Sequence, residues 1–216
     1  REFELAERVN HLAVSNFARI AKEKDIKLIH ISTDYVFDGK KNELYLESDI
    51  PNPKSIYGIT KLKGEIALQK INPKNSIIIR TSWVYSQYGN NFVEKILSFS
   101  KTKDSINVIS DQFGSPTNAS DLSIVILNFL SGIKNENVEI FHYSNSNVCS
   151  WYDFAKEVVR LSRRKTRIKA VKSDFFEQKA KRPRFSALAN TKIPKELNVK
   201  ISWKKSLEKY IDANFR

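Results

Sequence analysis

The 216-residue sequence predicts an α/β protein: a doubly wound parallel sheet, with a smaller α+β part toward the C-terminus. Two runs, Lys27–Ser32 and Ser76–Thr81, are short and nearly continuously apolar, as strands covered on both faces are. Helical patterns lie before and between them. The order helix–strand–loop–helix–strand is that of parallel βαβ units with right-handed crossovers.

The elements follow in order. Phe3, Leu5, Ala6, Val9, Leu12, Ala13, Phe17 and Ile20 recur at helical spacing and predict a helix over 3–24. After the first strand, residues 33–54 read as a polar loop, with Asp38-Gly39 and Pro51-Asn52-Pro53 as turn signals. A helix is expected over 55–70 and the second strand over 76–81. Residues 89–103 read as helix, 106–109 as a short strand and 111–117 as a loop. A very apolar helix runs from 118 to 130, and 139–143 is a further strand candidate. Ser150 caps a helix whose core face is Trp151, Phe154, Ala155, Val158, Val159 and Leu161. Beyond residue 162 the chain is more polar and basic, with helical pieces near 173–179 and 203–213. Residues 1–110 are expected to form the dinucleotide-binding side, and 111–216 mainly a substrate-binding part that returns at least one strand to the sheet.

Composition narrows the function classes. Apolar residues make up 41% of the chain, enough for a sizeable core, and no apolar stretch is long enough to span a membrane. There is no signal-peptide pattern, and the single cysteine, Cys149, fits a reducing compartment, so a cytoplasmic location is expected. The net charge of +13 invites a nucleic-acid reading, but the lysines are spread along the chain and many sit on polar helix sides. Neither a nucleic-acid nor a membrane partner is expected. The chain contains no methionine and opens inside a helical pattern without a cap, which reads as a missing start.

The segment Tyr57-Gly58-Ile59-Thr60-Lys61 places a tyrosine and a lysine one helical turn apart, about 40° from each other around the axis. A ketone accepting hydride needs a proton donor, and a lysine beside a phenol stabilises the phenolate. Ile59, Leu62 and Ile66 are expected on the opposite, packing side, and Gly64 is expected to leave room under the Tyr–Lys face. Ser32-Thr33-Asp34 follows the carboxyl end of the first strand, where open α/β sheets bind ligands. Thr33 is placed to offer a second hydrogen bond to the ketone oxygen. A capping role for Ser-Thr-Asp looks less natural, because Tyr35-Val36-Phe37 follows in place of a helix. Trp83, after the second strand, offers a stacking surface for a ring or sugar face.

These motifs resemble the dTDP-4-dehydrorhamnose reductases of the extended short-chain dehydrogenase/reductase superfamily. The likeness rests on His30-Ile31-Ser32-Thr33-Asp34-Tyr35-Val36-Phe37-Asp38-Gly39, on Tyr57 through Glu65 and on Arg80-Thr81-Ser82-Trp83-Val84-Tyr85. It continues through Asp111-Gln112-Phe113-Gly114-Ser115-Pro116-Thr117, Ser150 through Ala155 and Arg182 through Leu188. The resemblance implies a Rossmann-like fold and reduction of the 4-keto group of a dTDP-4-keto-6-deoxysugar by NADPH or NADH. It implies Tyr57, Lys61 and Thr33 as catalytic residues and Tyr57, Lys61 and Ser32 at the cofactor. Thr33, Asp34, Tyr35, Trp83, Gln112 and Arg182 would lie at the substrate. It also implies a homodimer and allows magnesium, for which the sequence shows no ligand cluster.

The family's glycine-rich phosphate cradle is absent, since the six glycines, 39, 58, 64, 89, 114 and 132, do not form it. The first strands are therefore expected to be missing, on the order of 60–70 residues. The chain alone is expected to bind dinucleotide poorly and to be inactive. Two alternatives stand beside this reading: a 4-ketoreductase for another nucleotide sugar, and a non-catalytic subunit resembling the regulatory β subunit of methionine adenosyltransferase.

Overall fold

The computed structural model describes residues 2–132, 134–177, 182–193 and 200–215. Its central sheet is parallel, in the order β1 (Ile29–Thr33), β2 (Ile77–Thr81), β7 (Glu139–His142). β2 lies in the middle and is buried at every position. Its side chains alternate between two cores. Ile78 faces Val14 and Ala18 of α2 (Ala13–Glu23) and Leu68 of α3 (Ile56–Ile71). Ile77 and Ile79 face Leu122, Val125 and Phe129 of α5 (Ala119–Gly132). Helices thus cover both sheet faces, which is why this strand reads as a continuous apolar run.

The expected first helix is one rod with a flaw. α1 (Glu2–Glu7) passes through a π-helical segment, Arg8–Leu12, into α2. Apolar periodicity does not reveal such a bulge, because a π-helical turn changes the spacing by only about one residue. α3 begins where expected: the Ser55 hydroxyl accepts a hydrogen bond from the Gly58 amide at 3.1 Å. Its packing side is mostly the reverse of that expected, although Leu62 does pack, beside Val36, Phe37 and Tyr45. Gly58, Thr60, Lys61, Gly64, Glu65 and Leu68 are buried, whereas Ile59 and Ile66 are exposed. Gly64 leaves no room for a ligand, because a Cβ there would lie 2.2 Å from the Asn10 carbonyl oxygen of the π-helical segment. The polar face of α3 is inward because polar groups on β1 and β2 meet it.

A third core joins α4 (Phe92–Phe99), β4 (Ser105–Ile109), α6 (Trp151–Leu161) and α7 (Trp203–Phe215). α4 is shorter than the expected 89–103. Ser150 and Asp153 form a reciprocal capping box on α6. β4 pairs in parallel with β9 (Arg167–Val171), a strand not expected from the sequence. Cys149 is buried in this core, and burial pushes its thiol well above the usual range. Near 173–179 the described residues form only a 3₁₀ turn, Ser173–Phe175; residues 178–179 lie outside the described residues. Two-residue strands fill the connections: β3 (Val84–Tyr85) pairs β6 (Thr117–Asn118), and β5 (Phe113–Gly114) pairs β8 (Cys149–Ser150). Among the described residues no helix is long and apolar enough to cross a membrane.

Candidate active site

The carboxyl end of β1 and the first turns of α3 build the site. Thr33 ends β1 and caps a 3₁₀ turn, Asp34–Val36, its hydroxyl accepting from the Tyr35 amide at 3.1 Å. The Ser-Thr-Asp segment is therefore a cap after all, of a turn too short to carry helical periodicity. The Tyr35 carbonyl oxygen presses on Gly58, where a Cβ would stand 2.2 Å away. This approach seats α3 on the turn. It also brings the Tyr35 and Tyr57 rings edge to face at 6.0 Å.

Tyr57 is half exposed. Burial of its phenol raises its pKa and the Asp34 carboxyl adds to the rise, while a hydrogen bond with Thr33 opposes it. The Lys61 ammonium donates to the Ile31 carbonyl oxygen at 2.6 Å and to His30 Nε2 at 3.3 Å. Lys61 has only donors, so His30 Nε2 is the unprotonated nitrogen. Burial, with the Lys61 charge, holds the His30 pKa down to about 3 and keeps the ring neutral. Burial lowers the Lys61 pKa, and the Glu65 charge opposes this. Two of the three Lys61 donors are committed to β1, and a third remains to offer.

Below this pair lies a buried ion pair. Arg80 of β2 meets Glu65 of α3 through Nε to Oε1 at 3.0 Å and Nη2 to Oε2 at 2.7 Å. The Ser32 hydroxyl donates to the same carboxylate at 2.5 Å. The guanidinium lies over the Phe37 ring, 5.1 Å from its centre. Ser32, expected at the cofactor, thus ties β1 to α3. Asp34 is buried under Thr33, whose hydroxyl donates to its Oδ1 at 3.1 Å. Burial pushes Asp34 up to about 7, against hydrogen bonds from Ser186 and Thr33. Tyr35 is pushed up to about 12, by burial first and then by Asp34.

The other expected residues fall into neighbouring groups. Tyr35 and Arg182 line a cavity of about 730 Å³ with Lys40, Lys54 and Arg184. Gln112 and Arg182 line a second, of about 440 Å³, with Asp111, Ser173 and Arg184. Arg182 and Arg184 therefore border both cavities. Trp83 lies apart from these two linings. It has a left-handed backbone, φ +48°, and stacks on Trp151 at 3.5 Å and 8°. One indole face is thus already covered.

Sequence reading missed His30, Glu65, Arg80, Asn10 and Trp151. For His30 the signal is strand alternation: His30 and Ser32 share the β1 face turned to α3, opposite Ile29 and Ile31. For a dinucleotide, the Tyr57 phenol and the remaining Lys61 donor suit a ribose diol at the nicotinamide end, whereas the sequence holds no glycine-rich cradle for the pyrophosphate. Among the described residues no group of three or more His, Cys, Asp or Glu side chains is placed to hold a metal.

Known proteins share this sequence and fold. Residues 1–215 match the family profile of the RmlD substrate binding domain. The spore coat polysaccharide biosynthesis protein SpsK of Bacillus subtilis (strain 168) is 37% identical over 98% of this chain and 73% of its own length. The dTDP-4-dehydrorhamnose reductase of Escherichia coli (strain K12) is 33% identical over 99% of this chain and 74% of its own. A crystal structure of a dTDP-4-dehydrorhamnose reductase from Clostridium acetobutylicum superposes with a TM-score of 0.91 at 38% identity, covering 98% of this chain and 74% of that one. That of Bacillus anthracis, in complex with NADP, gives 0.90 at 34%, covering 99% and 74%. With a profile match spanning nearly every residue and relatives above 30% identity, the chain belongs to the RmlD substrate-binding-domain family.

Proposed function

We propose that this chain carries the acid–base machinery and much of the substrate site of an NADPH-dependent reductase acting on the 4-keto group of a dTDP-4-keto-6-deoxysugar. One observation carries the reading: Thr33, Tyr57 and Lys61 converge at the carboxyl end of β1, with Lys61 anchored and the phenol half exposed. The Tyr57 phenol gives its proton to the ketone oxygen, Thr33 steadies the same oxygen, and Lys61 holds the ribose beside them. When bound, the dinucleotide supplies the hydride. Arg182 and Arg184, with Lys40 and Lys54, give the adjoining cavities a cationic lining suited to a diphosphate. Gln112 and Trp83 belong to the substrate side.

Residues 1–110 then serve mainly the cofactor and 111–216 mainly the substrate. A homodimer in the cytoplasm is part of the proposal. Exposed Leu5, Val9, Leu12, Ile59 and Ile66 on α1, the π-helical segment and α3 support pairing. No nucleic acid and no membrane enter it.

The test is Tyr57→Phe in the full-length protein, assayed by NADPH oxidation with dTDP-4-keto-6-deoxy-L-mannose. Turnover is expected to fall at least about 100-fold with an unchanged melting curve. Near wild-type turnover would remove Tyr57 from the chemistry. Failure of the wild type to reduce any 4-keto sugar nucleotide would remove the function.

A further inference from the structure

Asp34 lies one residue from the proposed hydrogen-bond donor Thr33, yet it is only 2% exposed, so it meets a substrate only through a neighbour. Its Oδ1 takes the Thr33 hydroxyl and Ser186 stands beside the carboxyl, whereas its Oδ2 is buried with no hydrogen-bond partner of good geometry among the described residues. An ionised carboxylate with a bare buried oxygen is unfavourable, whereas a neutral carboxyl leaves no charge there unanswered.

We propose that Asp34 is a positioning residue that sets the direction of the Thr33 hydroxyl, and that a proton on Asp34 turns this hydroxyl outward, toward the Tyr57 phenol and the ketone oxygen. The inference rests on the reading of Thr33 and Tyr57 as the groups that face the ketone.

Hydrogen-bond counting carries the argument. Thr33 has one hydrogen to give and two lone pairs. One lone pair takes the Tyr35 amide at 3.1 Å. An ionised Asp34 only accepts, so it draws the Thr33 hydrogen inward and leaves the second lone pair facing the phenol. Tyr57 then points its proton at Thr33, and the ketone loses both donors. A protonated Asp34, with its hydrogen on Oδ1, donates to that second lone pair. The Thr33 hydrogen is then released toward the site. No bond to carbon changes; one proton on Asp34 reverses one hydrogen bond.

The surroundings leave Asp34 free to exchange that proton. Thr33 and Tyr35 flank it, Tyr57 faces it from α3, and Ser186 faces it from the 185–189 segment. Lys61 of α3 is turned to Ile31 and His30, and Arg80 of β2 is committed to Glu65. Arg182 acts on Tyr35. Among the described residues no cation fixes Asp34 as a carboxylate. Burial places its titration at about 7, so both hydrogen-bond directions are populated near neutrality.

The experiment uses the full-length protein and follows NADPH oxidation with dTDP-4-keto-6-deoxy-L-mannose from acid to alkaline pH. Wild-type kcat/KM is expected to be level below neutrality and to fall about tenfold per pH unit above it. In Asp34→Asn the amide N–H donates to Thr33 at every pH, so the neutral limb disappears from the profile whatever the variant's absolute rate. The limb at higher pH, from Tyr57, remains. Infrared difference spectra of the wild type should show a protonated carboxyl band that is lost near neutrality and is missing in Asp34→Asn. An unchanged neutral limb in Asp34→Asn overturns the proposal. So does a carboxyl band that does not titrate, a result that decides the matter even if the wild type reduces no 4-keto sugar nucleotide and the functional reading itself fails.

Discussion

Removing Glu65 should cost about as much stability as truncating the fully buried Leu68 of the same helix. The Glu65 and Arg80 side chains are 1% and 2% exposed, with three N–O contacts of 2.7–3.2 Å between them. Glu65→Ala leaves the Arg80 charge in a site that water does not reach and removes the acceptor of the Ser32 hydroxyl. Losing one partner of a buried pair costs about 3–5 kcal/mol. For a chain of this size that corresponds to a drop in melting temperature of roughly 10 °C. Glu65→Leu combined with Arg80→Met removes both charges and should recover most of the loss, because the desolvation of two ions is also removed. Urea melts of the wild type, Glu65→Leu, Arg80→Met and the double variant measure the cycle, with Glu65→Ala beside them. A Glu65→Ala protein within about 1 kcal/mol of wild type would refute the reasoning, since the pair would then not be dry.

Gly64→Ala should destabilise by about 1–3 kcal/mol, read from thermal melts, because its Cβ would meet the Asn10 carbonyl at 2.2 Å and push the π-helical segment off α3. Asp34 should make stability fall as pH rises. Its folded pKa of about 7 lies above its ordinary 3.8, so its contribution is complete below about pH 4 and is lost on the way to pH 7. The span is worth on the order of 4 kcal/mol, and subtracting the Asp34→Asn stability–pH curve from the wild-type curve should isolate it; a flat difference would contradict this. Trp151→Leu should abolish the paired-indole signal in circular dichroism and raise KM for the sugar nucleotide more than it lowers kcat. An unchanged KM would detach the Trp83–Trp151 stack from the substrate.

What the sequence made legible follows from local chemistry. β1, β2 and α3 are legible because apolar runs and the turn residues that bound them are written into adjacent residues, whereas the Ser55 cap is seen only in the fold. The Tyr57, Lys61 and Thr33 grouping followed because strand ends and helix starts meet in parallel sheets. β9 escaped because its exposed Arg167 and Lys169 read as a solvated run; its partner β4 is 62 residues earlier in register. The two-residue strands exist only through tertiary pairing. The inward side of α3 was misjudged because Lys61 and Glu65 look like surface charges until Ile31, His30, Ser32 and Arg80 are set opposite them. Asp34 could be named from its motif, but its burial under Thr33 could not be.

Cys149 gives the protein a built-in clock. It is the sole thiol in the chain, packed with residues of α6 and α7 at the floor of a shallow cavity, and its reactive thiolate form is suppressed. A thiol reagent should therefore modify it slowly, and faster whenever this core loosens. The labelling rate then reports on that loosening with no engineered cysteine and without touching the site at the end of β1.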